Sequence, residues 1–176
     1  MDLELAGTIA VVTGTSRGIG LACARQLAAE GCRVLLVARG EAGLLAARDA
    51  ILSAGGEAAI LAADVTIDSS ASAIVEAAVR EFGGLDIGVA NAGGSAGPRE
   101  FDATTGGDWE RAFRLNVVHA TNLLRAAATR MEAGGRGSAI FIASVSGSSP
   151  QGSNAQYAAA KAALIHAARS LERNPI

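Results

Sequence analysis

Short apolar runs alternate along this chain with longer stretches in which apolar residues recur at helical spacing. The first run, Thr8 to Thr13, ends in the glycine-rich turn GTSRGIG. Ile19, Cys23 and Leu27 then share one face of a helix expected from about Arg17 to Glu30. RVLLVA, Arg33 to Ala38, follows the turn residue Gly31 and is continuously apolar, as a strand buried on both faces should be. Leu44, Leu45, Arg48, Ile51 and Leu52 mark a second helix closed by Gly55 and Gly56, and AAILAADV, Ala58 to Val65, reads as a third strand. A helix from about Ser69 to Phe82, a strand from Asp86 to Asn91 and a loop rich in Gly, Ser and Pro from Gly93 to about Thr105 come next. A long helix from about Asp108 to Met131 is expected to carry Phe113, Val117, Ala120 and Leu124 on one stripe. SAIFIAS, Ser138 to Ser144, reads as strand five, and a last helix runs from near Asn154 to about Arg173. Asn174 and Pro175 stop it, because the residue before proline avoids the helical region.

Strict alternation of strand and helix predicts an α/β fold: a parallel, doubly wound sheet with helices on both faces. No repeat or long linker divides the chain, so 1–176 is read as a single domain. At 176 residues it is long enough to bury a substantial core, and half-apolar composition with 18% charged residues excludes a disordered chain. A net charge of −2 and scattered basic residues give no electrostatic footprint for nucleic acid, which leaves a small molecule as the expected partner. The acidic start MDLELAG lacks the basic region of a secretory signal, and no apolar run approaches the roughly 20 residues that span a bilayer. Cys23 and Cys32 have neither metal-ligand nor redox spacing and read as reduced thiols, which makes the cytoplasm the expected compartment.

The turn TGTSRGIG lies between a strand and its helix, the context in which a glycine fingerprint binds a dinucleotide. Gly14 permits the tight turn, Gly18 lets backbone approach a pyrophosphate, and Gly20 lets the helix pack close to the sheet. Ser16 and Ile19 belong to the same segment, and the helix start supplies amide donors. The spacing is G-x-x-x-G-x-G rather than G-x-G-x-x-G, and a plain tight turn would also fit it. At the end of strand two, where an acidic residue would accept from a ribose 2′-hydroxyl, Ala38 is followed by Arg39. A guanidinium attracts a 2′-phosphate, and Arg17 is a second candidate for the same group, so NADP(H) is preferred over NAD(H). Two solvated surface arginines are the alternative.

The single tyrosine, Tyr157, precedes Lys161 by one helical turn, so an ammonium and a phenol share one face. The charge is expected to lower the phenol towards the working range of a proton donor and acceptor. Ser144, thirteen residues earlier at the end of strand five, can hydrogen-bond the same carbonyl oxygen. His119, His166 and Trp109 read as structural, while Gln151 and Asn154 are candidates for the substrate mouth.

With TGTSRGIG, ADV after strand three, NAG after strand four, LNVVHA in the long helix, IASVSG after strand five and YAAAK, the chain resembles the classical short-chain dehydrogenase/reductase family over essentially its whole length. The resemblance implies a Rossmann-type fold with strand order 3-2-1-4-5. It also implies that Asp64 and Val65 hold the adenine, and that Asn91, Ala92 and Gly93 pack beside the cofactor. Asn116 would hold, through a local distortion of its helix, a water connected to Lys161; Ser144 would polarise a substrate carbonyl; Tyr157 would be the general acid or base; Lys161 would bind the nicotinamide ribose and tune Tyr157. The activity implied is that of an NADPH-dependent reductase, or alcohol dehydrogenase, for a ketone or 3-oxoacyl group. Family members pair through the long helix and the Tyr-Lys helix, so a homo-oligomer is expected, with Val117, Leu124, Leu164 and Ala168 on the paired faces.

The family's chain continues past the Tyr-Lys helix with a sixth strand, a PG segment over the nicotinamide, a substrate-binding region and a seventh strand; none follows Arg173 here. The expectation is a sheet lacking those C-terminal strands, with strand five as an apolar open edge. A truncated product or partial sequence, a naturally short self-associating protein, and a catalytically inactive dinucleotide-binding module are the readings open at this point.

Overall fold

The computed structural model describes residues 3–149 and 152–172. Gln151, Asn174 and Pro175 lie outside them. Five parallel strands form one sheet in the order β3-β2-β1-β4-β5, the order the resemblance implies. They are β1 Ile9–Thr13, β2 Arg33–Ala38, β3 Glu57–Ala62, β4 Ile87–Ala90 and β5 Ser138–Phe141. Among the described residues, six α-helices accompany them: α1 Gly18–Ala29, α2 Glu41–Ser53, α3 Ser70–Phe82, α4 Gly106–Phe113, α5 His119–Ala133 and α6 Ala155–Glu172.

The sheet separates two apolar layers because successive strand residues point to opposite faces. Ala10, Val12, Val34 and Leu36 meet α1 and α2 through Ala24, Ala28, Leu44 and Ile51. Val11, Leu35 and Val37 meet α3, α5 and α6 through Ile74, Ala78, Leu123 and Leu164. Below the sheet Asp86 ties three segments together, accepting from the Ile9 amide at 2.8 Å and from Arg136 at 2.9 and 3.2 Å. Burial opposes ionisation of that carboxyl, but the Arg136 and Ile9 hydrogen bonds outweigh it and hold it below the usual carboxylate range.

Three elements differ from the sequence expectation. Strand five ends at Phe141, so Ser144 stands in the following loop, and β3 likewise stops at Ala62. The expected long helix is two helices joined by a π turn, Arg114–Val118. A π turn holds an extra residue, and each residue rotates the helix face by about 100°. The buried face of α5 therefore runs through Ala120, Leu123, Ala127 and Met131, while Leu124, on the expected stripe, is only half-buried. Leu164 is buried against the core cluster, which removes it from the faces expected to pair with another copy.

Candidate active site

The first strand hands the chain to α1 through a turn whose geometry depends on missing side chains. Gly14 has φ +76°, and its amide donates to the Val37 carbonyl at 2.7 Å. A Cβ on Gly20 would lie 2.4 Å from both the Gly14 carbonyl oxygen and Asn91 Nδ2, so any larger residue there forces the turn apart. Arg17 caps α1 in extended conformation without a side-chain cap, and the first turn carries no acid. The amides at this helix start are therefore not satisfied by a capping side chain, and with the positive end of the helix dipole they suit an anion.

A cleft of about 740 Å³ runs from this turn to α6 across the C-terminal ends of the strands. Gly14, Ser16, Arg17, Gly18 and Ile19 line one end, with Arg39, Asp64 and Val65 beside them. Asn91, Ala92, Gly93, Tyr157 and Lys161 line the other. Among the residues expected to bind cofactor, Gly20 is absent from the wall because it packs behind it. The Asp64 carboxyl lies below its ordinary value because it accepts from the Thr66 amide at 2.9 Å and the Thr66 hydroxyl at 2.7 Å; burial opposes this and the Arg39 charge adds to it. Arg111 and Arg114 also line the cleft and escaped the sequence reading, since spacing alone does not bring a distant helix to this wall. Arg114 donates to Asp68 at 2.9 Å and Arg111 pairs with Asp108.

At the far end, hydrogen bonds fix the backbone under the expected catalytic residues. Thr13 Oγ1 accepts from the amides of Asn91 and Ala92, each at 3.0 Å, and Asn91 Nδ2 donates to the Thr13 carbonyl at 2.8 Å. Asn116 is fully buried in the π turn; its Oδ1 accepts from the Gly94 amide at 3.0 Å, and its Nδ2 donates to the carbonyls of Gly94 and Ala112 at 2.9 Å each. Lys161 Nζ donates to the Ile142 carbonyl at 2.7 Å and stands 5.9 Å from the centre of the Tyr157 ring. Burial pushes the Lys161 ammonium down. A Cβ built on Gly93 would lie 2.8 Å from Asn116 Oδ1 and 3.2 Å from Lys161 Nζ, so both side chains converge on that glycine. Neither Asn116 nor Ser144 lines the cleft; Ser144 follows the wall residue Ala143, and its Oγ accepts from the Ser146 amide at 3.2 Å.

The loop over the site is stapled by residues with weaker sequence signals. Gln156, fully buried, donates to the carbonyls of Ala96 and Pro98 at 3.0 and 2.7 Å. The Asn154 amide donates to the Arg99 carbonyl at 2.7 Å. Thr105 and Asp108 form a capping box that starts α4, and Asp108 also packs against Gly97. That Thr-x-x-Asp spacing is legible in the sequence as a helix start. Trp109 packs edge-on against Phe101 at 6.5 Å and donates to Thr104 at 3.3 Å, the anchoring role expected of it. His166 is exposed.

A glycine turn opening onto a parallel sheet, with a Tyr-Lys pair at the far end of the same cleft, defines a nucleotide-binding oxidoreductase class of site. The chain belongs to the short-chain dehydrogenase family, whose model matches residues 8–174. It is 35% identical over 174 residues to cis-4-hydroxycyclohexanecarboxylate dehydrogenase of Sinomonas cyclohexanicum, covering 97% of this chain and 68% of that one. It superposes with TM-score 0.92 and 33% identity on 7α-hydroxysteroid dehydrogenase complexed with NADH and 7-oxo glycochenodeoxycholic acid, covering 97% of this chain and 66% of the other. L-sorbose reductase from Gluconobacter frateurii, complexed with NADPH and L-sorbose, matches with TM-score 0.92 and 34% identity over 97% and 65%. The chain thus spans about two thirds of the length of these relatives. Among the described residues no helix is long and apolar enough to cross a membrane.

Proposed function

We propose that this chain carries the site of an NADP(H)-dependent oxidoreductase that interconverts a ketone or 3-oxoacyl group and a secondary alcohol. The observation that carries the reading is one continuous cleft joining an anion-ready helix start to Lys161 and Tyr157. The turn fits a dinucleotide, since its uncapped helix start lines the cleft and a side chain at Gly20 would force it apart. The α1 amides would take the pyrophosphate, Asp64 and Val65 the adenine, and Arg39 with Arg17 a 2′-phosphate. Arg39, rather than an acid, at the end of β2 favours the phosphorylated cofactor; among the solved relatives one holds NADH and another NADPH.

A bound nicotinamide supplies or takes up the hydride. The protein's part is to place a carbonyl and to move one proton. Tyr157 Oη would give that proton in reduction and take it in oxidation, and Ser144 would hold the carbonyl oxygen. Lys161 would fix the ribose and keep a positive charge by the phenol, while Asn116 holds Gly94 and the π turn in place. The relatives act on secondary alcohols or ketones on rings and sugars, which suits a small-molecule carbonyl as substrate. Pairing with a second copy along α5 and α6 is part of the same reading, supported by the half-buried Val117, Leu124 and Ala168.

One observation favours a second reading, a dinucleotide-binding module without turnover: Val145, next to Ser144, is 71% exposed, so water reaches the place where a carbonyl would sit. Thermal unfolding with NADPH or NADH, followed by a carbonyl panel with wild type and Tyr157→Phe, separates the two. A midpoint raised more by NADPH, with turnover lost in the variant, is expected. Binding without any turnover selects the second reading, and equal turnover in the variant overturns the assignment of Tyr157.

A further inference from the structure

Tyr157 lies in the first turn of α6, where a helix cannot satisfy all its own backbone amides. The loop after β4 holds that turn. Asn154, just before α6, has φ +63°, a conformation asparagine tolerates, and its amide donates to the Arg99 carbonyl at 2.7 Å. Its Nδ2 donates to Ser95 Oγ. Gln156, next to Tyr157 in the chain, is fully buried, and its Nε2 donates to the carbonyls of Ala96 and Pro98 at 3.0 and 2.7 Å. Two residues at the start of α6 are thus bonded to residues 95–99. That loop is anchored from its other side as well: Asn116 in the π turn holds Gly94 through bonds of 3.0 and 2.9 Å, and Asp108 of α4 packs on Gly97.

The partners of Gln156 fix the orientation of its amide. Both are acceptors, so reversing the amide would set Oε1 against two carbonyl oxygens. As it stands, Oε1 has no partner among the described residues, which is costly for a buried polar atom. Ala96 and Pro98 are only half-buried, and carbonyls there can bond water instead. For stability alone an apolar side chain of the same size would serve better, because it leaves no oxygen unpaired. What the glutamine adds is a fixed separation between two parts of the cleft wall, since Ala96 and Tyr157 both line it.

We propose that Gln156 is a positioning residue for Tyr157: it clamps the first turn of α6 to residues 96–98 and so sets where the phenol stands relative to the Ala96 wall. The inference rests on the reading of Tyr157 as the proton-transfer group. Gln156 touches no reacting atom; it acts through the backbone of its neighbour. Replacing it with methionine keeps length and bulk and removes both donors. Ser95→Ala weakens the same clamp from the loop side, by removing the partner of the Asn154 side chain.

Tyr157 is the chain's one tyrosine, so NMR of the whole chain labelled with ring-¹³C tyrosine reports on it directly. The expected result is a displaced or broadened ring signal in Gln156→Met, with a smaller change in Ser95→Ala. Ile51→Val, which loosens the core on the other face of the sheet, should leave the signal in place. In turnover, Gln156→Met should lower kcat about tenfold, the scale of a small misplacement of a reacting group, with the Kd for NADPH unchanged. A ring signal unmoved by Gln156→Met overturns the proposal, and so does a wild-type kcat in that variant. An equal displacement in Ile51→Val reduces Gln156 to packing. Where Gln156→Met does not fold, Ser95→Ala decides alone, and an unmoved signal there overturns the clamp. Absence of turnover in the wild type would count against the proposed function alone, since the NMR measurement still decides the role of Gln156.

Discussion

The two sides of the sheet are built to different standards. From β2 to β4 the sheet is covered on both faces, and all five residues of β1 are buried, while β3 at the far edge is half-buried. At β5 three of four residues are exposed, and Ile140 keeps 43% of its surface in water. The covered side holds the glycine turn and Arg39; the open side carries the Ser144 loop. In the proposed function, phosphate recognition would rest on backbone amides fixed by a close-packed core, whereas the end proposed as catalytic rests on a few hydrogen bonds: Asn116 to Gly94, Lys161 to Ile142 and Gln156 to Ala96 and Pro98. Rigid backbone tolerates little change, and an edge tolerates more.

The largest effect should come from the covered side. Leu35 is fully buried in β2, and Leu35→Ala should cost about 2–5 kcal/mol in urea unfolding. A cost below 1 kcal/mol would mean that this core is not close-packed.

Acid should act next, at the seam between the two sides. His119 has its folded pKa depressed from 6.5 to about 4, so the unfolded chain binds the proton more readily. Its contribution is fully present above pH 6.5 and is lost as pH falls through about 4. Roughly 3 kcal/mol should disappear over that window, read as a fall in the urea midpoint that His119→Leu abolishes. Asp64 and Asp86, also held low, add losses of the same sign at lower pH.

Gly20→Ala should cost about 1–3 kcal/mol, because the added Cβ meets the Gly14 carbonyl and Asn91 rather than a flexible side chain. It should also remove the NADPH-induced rise in melting temperature, and an unchanged rise would show that the turn is not the phosphate site. The smallest effect belongs to the edge: Ile140→Thr should stay within about 0.5 kcal/mol, checked by the same urea curves. A cost approaching that of Leu35→Ala would show that β5 is covered in solution.

What the chain spells out locally was legible without coordinates. The strands are apolar runs bounded by glycines, and a parallel sheet follows from their alternation with helices. Gly14 and Arg39 each follow the end of a strand, and Tyr157 and Lys161 lie one helical turn apart, so their grouping at either end of a cleft follows once the strands are in order. The Thr105-x-x-Asp108 cap was equally local, although its consequence, a helix starting at Gly106 rather than Asp108, needed the structure.

The π turn was not legible as a change of face. Periodicity assumes a constant rotation per residue, and one extra residue around Asn116 moved the buried position from Leu124 to Leu123. Nor could spacing show that Gln156 holds the loop at Ala96, that Arg111 and Arg114 join the cleft wall, or that His119 is buried. The sequence by itself determined the kinds of element, their succession along the chain and the chemistry proposed for each end of the cleft, because those follow from residue type and near-neighbour spacing. Only the tertiary structure decided which distant side chains share a buried space, because burial and pairing depend on how helices far apart in the chain pack against the sheet.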